Sequence, residues 1–434
     1  MNFSITKHVL LLALILQVSS AAFSQSKGIK FEKGTFAAVK AKAKKEKKLI
    51  FMDCYTTWCG PCTAMTENTF PDPQAGEYFN KYFINAKFDM EEGEGEDLAS
   101  KYQIQCYPNL LVLDADGNLL HRAAGYKEVE ELIEFAKTAQ NPEKRFSTIK
   151  KKYEQNKNNI QDIRNYILFA KDNCLTADTA ARQFLSLAKE TDFNNPANWP
   201  IIYEYGTDIN GKAYKHVLKN IDAFIEKHTS DSVRDYSLSV IYQEADKMIE
   251  DGKTVSDIKE YVKKLRSMKN PTIDESMLFN LSLTCYSQID EWEEYISHAV
   301  ANGDKYINDK NINSVCWNFY LHAEEKSSLS KAEGWMKKYI TNHKEDYDWV
   351  MDISSTLPKW VEEYGLSEEE YDGAKEYIAT NMLYPQYDTY AALLYKLDNK
   401  KNAASYANKA IEVAEKYDLD KSDTETLLEK IEEM

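Results

Sequence analysis

The chain has 434 residues, 43% of them hydrophobic and 12% aromatic, with 54 basic and 70 acidic side chains and a formal net charge of −16. That much apolar material supports packed cores and excludes global disorder, and the length predicts two or three domains, since single cores seldom grow past roughly 250–300 residues. The negative balance excludes a nucleic-acid binder, because a phosphate backbone calls for clustered Lys and Arg.

Residues 1–24 read as a signal peptide. Lys7 supplies a basic start, Val9 to Leu16 is an uninterrupted apolar run of eight with Val18 following Gln17, and Ala22 and Ser24 stand where a signal peptidase would cut before Gln25. Such a run is too short to span a bilayer, which needs about 20 residues. The expectation is a soluble mature protein outside the cytoplasm, in the periplasm.

From residue 25 the elements follow quickly. "FAAVKAKAKKEKK" predicts a helix with a basic outer face, and the apolar run Leu49 to Tyr55 predicts a buried parallel strand. "WCGPC" (Trp58 to Cys62) follows at the strand's end and opens a helix running towards Asn68. Tyr82 to Met90 reads as a second strand, "EDLASKYQ" as a short helix, and "NLLVLDADGNLLHRAAGY" as a hairpin turning at Asp116-Gly117. "EVEELIEFAKTAQ" closes an α/β unit over residues 25–140, with a border at Asn141-Pro142. The acidic "EEGEGED" repels phosphate and reads as a solvated loop, and "DADGN" lacks the bidentate Glu of a calcium loop.

Residues 141–434 have a different grammar. They hold only seven of the 15 glycines but 23 of the 29 tyrosines, and 38 basic against 52 acidic side chains. Apolar residues recur at spacings of three and four, as in Ile160, Ile163 and Ile167, which predicts an all-α stack of helical hairpins. Near the end, Tyr387, Tyr390, Ala391 and Leu394 would face Ala403, Ala407 and Ala410 on the next helix, an arrangement that resembles a tetratricopeptide repeat (TPR). Cys316, Phe319, Tyr320 and Ala323 facing Ala332, Met336 and Tyr339 form a looser relative. Ser422-x-x-Glu425 fits a capping box opening a final helix.

Seven cysteines occur, too few for a disulfide scaffold, and the odd number leaves at least one unpaired within a monomer. Only Cys59 and Cys62 are close enough in sequence to suggest a local dithiol. Cys54, on a strand, reads as a core thiol and Cys106 as a semi-exposed free thiol, with an intermolecular disulfide or a regulatory cap as its alternatives; Cys174, Cys285 and Cys316, on helical stretches, read as core residues. A single Cys-x-x-Cys without a nearby His makes no metal site, and no motif calls for a cofactor. At a helix N-terminus, unpaired N–H groups favour a thiolate at Cys59. Lowering a thiol pKa from about 8.5 to about 7 raises its thiolate fraction at neutral pH from roughly 3% to roughly 50%. Gly60 permits a tight approach, and Pro61 fits the first turn, where no N–H is needed.

"LIFMDCYTTWCGPC", "YQIQCYPNLLVLDADGNLL" and "AAGY" make residues 47–126 resemble a thioredoxin-fold thiol:disulfide oxidoreductase, a mixed central sheet flanked by helices. Within that family, "TENTFPDPQAGEYFNKYF" is most similar to the periplasmic thioredoxin-like modules of thiol:disulfide interchange proteins. The resemblance implies Cys59 as attacking and Cys62 as resolving thiol of a redox-active pair. It implies Asp53 as the buried carboxylate that exchanges a proton with Cys62, Pro108 as the cis-proline beside the dithiol, and Trp58 as the aromatic flanking the client groove; Tyr107, a further substrate-binding candidate, departs from the family, which commonly has a smaller or aliphatic residue before that proline. The expected activity is reduction or isomerisation of disulfides in envelope proteins, with protein disulfide clients, a membrane or protein electron donor, and a helical domain that binds clients or partners or self-associates. The alternative is a non-catalytic helical-repeat scaffold with a thioredoxin-like docking module.

Overall fold

Five short runs become strands in a computed structural model that describes residues 28–268 and 270–434. They are β1 (Phe31–Glu32), β2 (Leu49–Tyr55), β3 (Phe83–Asp89), β4 (Asn109–Leu113) and β5 (Leu119–Ala124), in the spatial order β1-β3-β2-β4-β5. β1 and β2 run parallel to β3, whereas β4 is antiparallel to both β2 and β5, so the sheet is mixed. The signal peptide read over residues 1–24 lies outside the described residues.

β2 is central and covered on both faces, which is why it reads as a continuous apolar run. Its side chains alternate between two cores. Ile50, Met52 and Cys54 pack with Phe36, Val39, Leu98 and Tyr102 from α1 (Phe36–Glu46) and, past α2 (Gly60–Ala64) and α3 (Pro73–Tyr82), α4 (Glu94–Tyr102). Phe51 points the other way, into Met65, Phe79, Phe83 and, from α5 (Val129–Gln140), Leu132 and Phe135. Phe51 and Phe79 meet edge to face with ring centroids 4.6 Å apart. Each fully buried aromatic of this kind is worth about 1.5–3 kcal/mol relative to exposure.

Local signals set the ends of these helices. Thr35 caps α1 by accepting from the Ala38 N–H, and Lys47 stops it in the left-handed region at φ 53°. α2 has only five residues before it widens into a π-helical turn, Met65–Thr69. The acidic stretch read as a solvated loop is partly helix. α4 begins at Glu94, whose Oε1 accepts from the Phe36 N–H at 2.8 Å. A Cβ on Gly95 would sit 1.6 Å from the Asp89 carbonyl oxygen, so that position needs glycine.

Beyond Gln140 the described regular structure is all helix, and the chain divides into two compact units after Ala223. In the first unit, α6 (Phe146–Gln155) packs on the sheet at β5, and α7 (Ile160–Asp172) packs on α6 and approaches β5 through Phe169. The contact centres on buried His121, whose Nδ1 accepts from the Phe146 N–H at 3.0 Å at the start of α6. Its ring stacks on Phe135 and lies 5.6 Å from Phe169, which in turn stacks on Phe146. Burial pulls the imidazole down to about 4, so it stays neutral and able to accept.

A disulfide joins Cys106 to Cys174, 68 residues apart, with Cα atoms at 6.2 Å. This corrects two expectations: Cys106 is not free, and Cys174 is not a helical core residue but a half-buried turn residue after α7 with φ +52°. Among the described residues the free cysteines are Cys54, Cys285 and Cys316, all buried.

The second unit consists of helices packed largely in antiparallel pairs. Helix Tyr384–Lys396 buries Tyr387, Tyr390, Ala391 and Leu394, and helix Lys400–Lys416 buries Ala403, Ala407 and Ala410. Small residues on one side let the two backbones approach. In the looser pair, Cys316 Sγ lies 3.5 Å from the Ala332 carbonyl oxygen. The last helix, Ser422–Glu432, is not opened by a capping box: Ser422 is its first residue, and Lys421 stands at the cap, paired with Glu425 at 3.1 Å. No described helix is long and apolar enough to cross a membrane.

Candidate active site

β2 delivers the chain to the site and α2 receives it. After Tyr55 the backbone turns through Thr56 and Thr57, with the Cys59 N–H donating to the Thr56 carbonyl at 3.3 Å. Cys59 is the cap of α2, in extended conformation, and its Sγ accepts from the Cys62 N–H at 3.2 Å. That hydrogen bond is the local form of helix-terminus stabilisation at sulfur. Cys59 and Cys62 are joined by a disulfide with Cα atoms 5.3 Å apart, and both are 3% exposed. Pro61 occupies the first turn without disturbing it. A Cβ on Gly60 would meet nothing within 4 Å, so this residue faces open space and the fold alone does not demand glycine there.

Asp53 lies on β2 six residues before Cys59, 1% exposed. It shares the face of β2 occupied by Phe51, the side on which Met65 of the π-helical turn packs. Burial pushes its carboxyl up to about 6, against the opposing pull of the Lys87 ammonium. Lys87 Nζ is 3.2 Å from Asp53 Oδ2, and the two residues are direct cross-strand partners in the parallel β2–β3 register. Neither Asp53 oxygen accepts a well-directed hydrogen bond. Lys87 also donates to Thr66 Oγ1 at 2.6 Å, and Thr66 donates to the Cys62 carbonyl at 3.0 Å. A continuous polar path thus runs from the buried carboxylate to the backbone of Cys62. Sequence reasoning missed Lys87, although a lone charge inside the apolar run "YFINAKF" is a signal for a buried partner.

The outer edge is aromatic. Trp58 is 69% exposed, its Nε1 donates to Glu91 Oε2 at 2.9 Å, and its ring meets Tyr107 edge-on at 6.0 Å. The Tyr107–Pro108 peptide bond is cis, and the Pro108 carbonyl accepts from the Gly125 N–H at 2.9 Å. Arg122, 2% exposed on β5, supports this edge from behind. Its Nη1 donates to the Tyr102 carbonyl at 2.9 Å, and its Nη2 donates to the Gln103 carbonyl at 3.4 Å and to Asn109 Oδ1 at 3.0 Å. Cys54, on the opposite face of β2 from Asp53, is fully buried with its thiol pushed well up, and takes no part in the site.

The domain that carries this site has counterparts among known proteins. A family profile for the thioredoxin-like domain matches residues 36–140. A thioredoxin-like protein of Synechocystis sp. is 33% identical over 87 residues, which are 20% of this chain and 77% of that protein. The chain belongs to the thioredoxin-like family. Protein disulfide-isomerase of Triticum aestivum is 26% identical over 93 residues, 21% of this chain, and the chain spans only 18% of that relative's length. Among solved structures, a candidate disulphide-isomerase from Bacteroides thetaiotaomicron is 39% identical, over 27% of this chain and 98% of that one, with a TM-score of 0.26. In this thioredoxin-like protein nearly three hundred residues follow the matched domain.

Proposed function

We propose that this protein is an exported thiol:disulfide oxidoreductase that reduces or isomerises disulfides of envelope proteins. The observation that carries the reading is the Cys59–Cys62 pair at the start of α2 with buried Asp53 linked to it through Lys87 and Thr66. In the reduced protein, the Cys59 thiolate attacks a client disulfide, forming a Cys59–client mixed disulfide and releasing one client thiolate. Cys62 then loses its proton to Asp53 and attacks the Cys59 sulfur, releasing the second client thiolate and leaving the Cys59–Cys62 disulfide. Two electrons have passed to the client, and a membrane or protein donor returns them. Trp58, Tyr107 and Pro108 seat the client.

The signal-like residues 1–24 support export to the periplasm. On this reading residues 25–140 carry the chemistry and residues 141–434 bind clients or partners, or self-associate. The test is a trap. Replacing Cys62 by Ala and expressing the full chain in its own envelope is expected to accumulate discrete Cys59-linked adducts on non-reducing gels, and these vanish when Cys59 is also replaced. A folded Cys62→Ala protein with free Cys59 and no adducts would favour the docking-scaffold alternative.

A further inference from the structure

The Cys106–Cys174 disulfide lies outside the dithiol chemistry, yet it joins the segment that carries Tyr107 and Pro108 to the helical extension. That segment leaves α4 at Tyr102, with the Ile104 N–H donating back to the Ala99 carbonyl, and enters β4 at Asn109. Between those points side chains hold it. Arg122 grips Tyr102, Gln103 and Asn109, Trp58 leans on Tyr107, and the Cys106 sulfur reaches across to Cys174.

On the other side of the bond, the turn after α7 is well defined. Asn173 is buried and donates to the Phe169 carbonyl at 2.7 Å, and the Leu175 N–H donates to the Ala170 carbonyl at 2.9 Å. The extension is therefore fixed to the family domain at two points, through His121 on β5 and through Cys174 at the cis-proline edge. The second point ties residue 174 of the turn 172–176 to Cys106, the residue before Tyr107, and Cys174, Leu175 and Thr176 are all partly or fully exposed.

We propose that the turn 172–176 forms one wall of the client groove, held in place by the Cys106–Cys174 bond, and that its occupant is an extended polypeptide bearing the disulfide under attack. This rests on the oxidoreductase reading above. The wall adds contacts that only a polypeptide reaches, so it acts on client binding and not on the dithiol. Residues Cys106 and Cys174 are then positioning residues. Removing the bond loosens both the wall and the Tyr107 edge before the client arrives, and the client must order them on binding.

Two measurements on the full chain test this. The first compares the Cys106→Ser/Cys174→Ser double variant with wild type on insulin and on a small aromatic disulfide. The KM for insulin is expected to rise about 3- to 10-fold, the scale of ordering one or two side chains on binding, and to rise more than the KM for the small disulfide. An unchanged insulin KM in the folded variant overturns the proposal. The second measurement keeps the bond and covers a variant that fails to fold. In the Cys59-linked adduct of the Cys62→Ala protein with insulin, the amides of residues 172–176 are expected to exchange more slowly than in the free protein. Equal exchange overturns the proposal. Wild type reducing neither substrate is a distinct result: it sinks the oxidoreductase reading, and the wall falls with it.

Discussion

Replacing Asp53 by Asn is expected to make the protein more stable at pH 7 and slower as a reductant. The carboxyl is buried and stands at about 6, against 3.8 for an ordinary aspartate. Between those values the folded state binds the extra proton, so the stability of the native protein falls as pH rises from about 4 to about 6 and stays low above that. Ionised Asp53 thus costs up to about 3 kcal/mol at neutral pH, at about 1.4 kcal/mol for each pH unit between the two values. The Asp53→Asn protein is free of that charge and gains about 1–3 kcal/mol, and the gain shrinks to nothing below pH 4. Amide exchange of the β2 and β3 strands in wild type and variant, taken at pH 7 and pH 4, checks this. Loss of the proton acceptor should slow release of the client from the mixed disulfide by about 10²-fold or more. A variant that is less stable at pH 7 would mean that Lys87 already compensates for the buried charge.

The second large effect concerns Arg122. Its guanidinium is almost fully buried, has no carboxylate in contact among the described residues, and bonds two main-chain carbonyls and Asn109 Oδ1. Burial pulls its pKa down. Arg122→Leu leaves those oxygens without donors next to the cis-proline edge, at a cost of about 3 kcal/mol or more in unfolding free energy. Because the chain holds more than one compact unit, a single melting temperature would mix them, and exchange protection of the β4 and β5 amides is the cleaner readout. Protection should fall by about 100-fold in Arg122→Leu, the equivalent of that cost at about 1.4 kcal/mol per decade. Unchanged protection would mean that relaxation or water replaces the lost donors.

How much of this is legible in the sequence depends on the range of the interaction. Leu49 to Tyr55 announces itself as a buried strand because both faces are covered, and Cys59, Pro61 and Cys62 announce a helix start because local chemistry dictates it. The pairing of Tyr387, Tyr390, Ala391 and Leu394 with Ala403, Ala407 and Ala410 is likewise readable, since the two helices are adjacent in the chain. The longer-range contacts are not. Asp53 and Lys87 meet only through the parallel register of β2 with β3. Cys106 and Cys174 meet only because α6 and α7 fold back on β5, and no spacing rule connects cysteines 68 residues apart across a change of secondary structure. His121 and Arg122 carry a subtler signal. Two adjacent polar side chains in the hairpin "LLHRAAGY" point to opposite faces of a strand, so both are buried only if each face of β5 is covered. On the His121 face that cover comes from Phe135 and, beyond the family domain, from Phe146 and Phe169.

Insulin-disulfide reduction by the full chain, wild type against Cys59→Ala, under a thiol that regenerates the Cys59–Cys62 dithiol, tests the central claim most directly. Wild-type protein should precipitate the insulin B chain well above the rate of the thiol alone, and Cys59→Ala should fall to that background. Equal rates for the two proteins would contradict a Cys59-dependent exchange reaction.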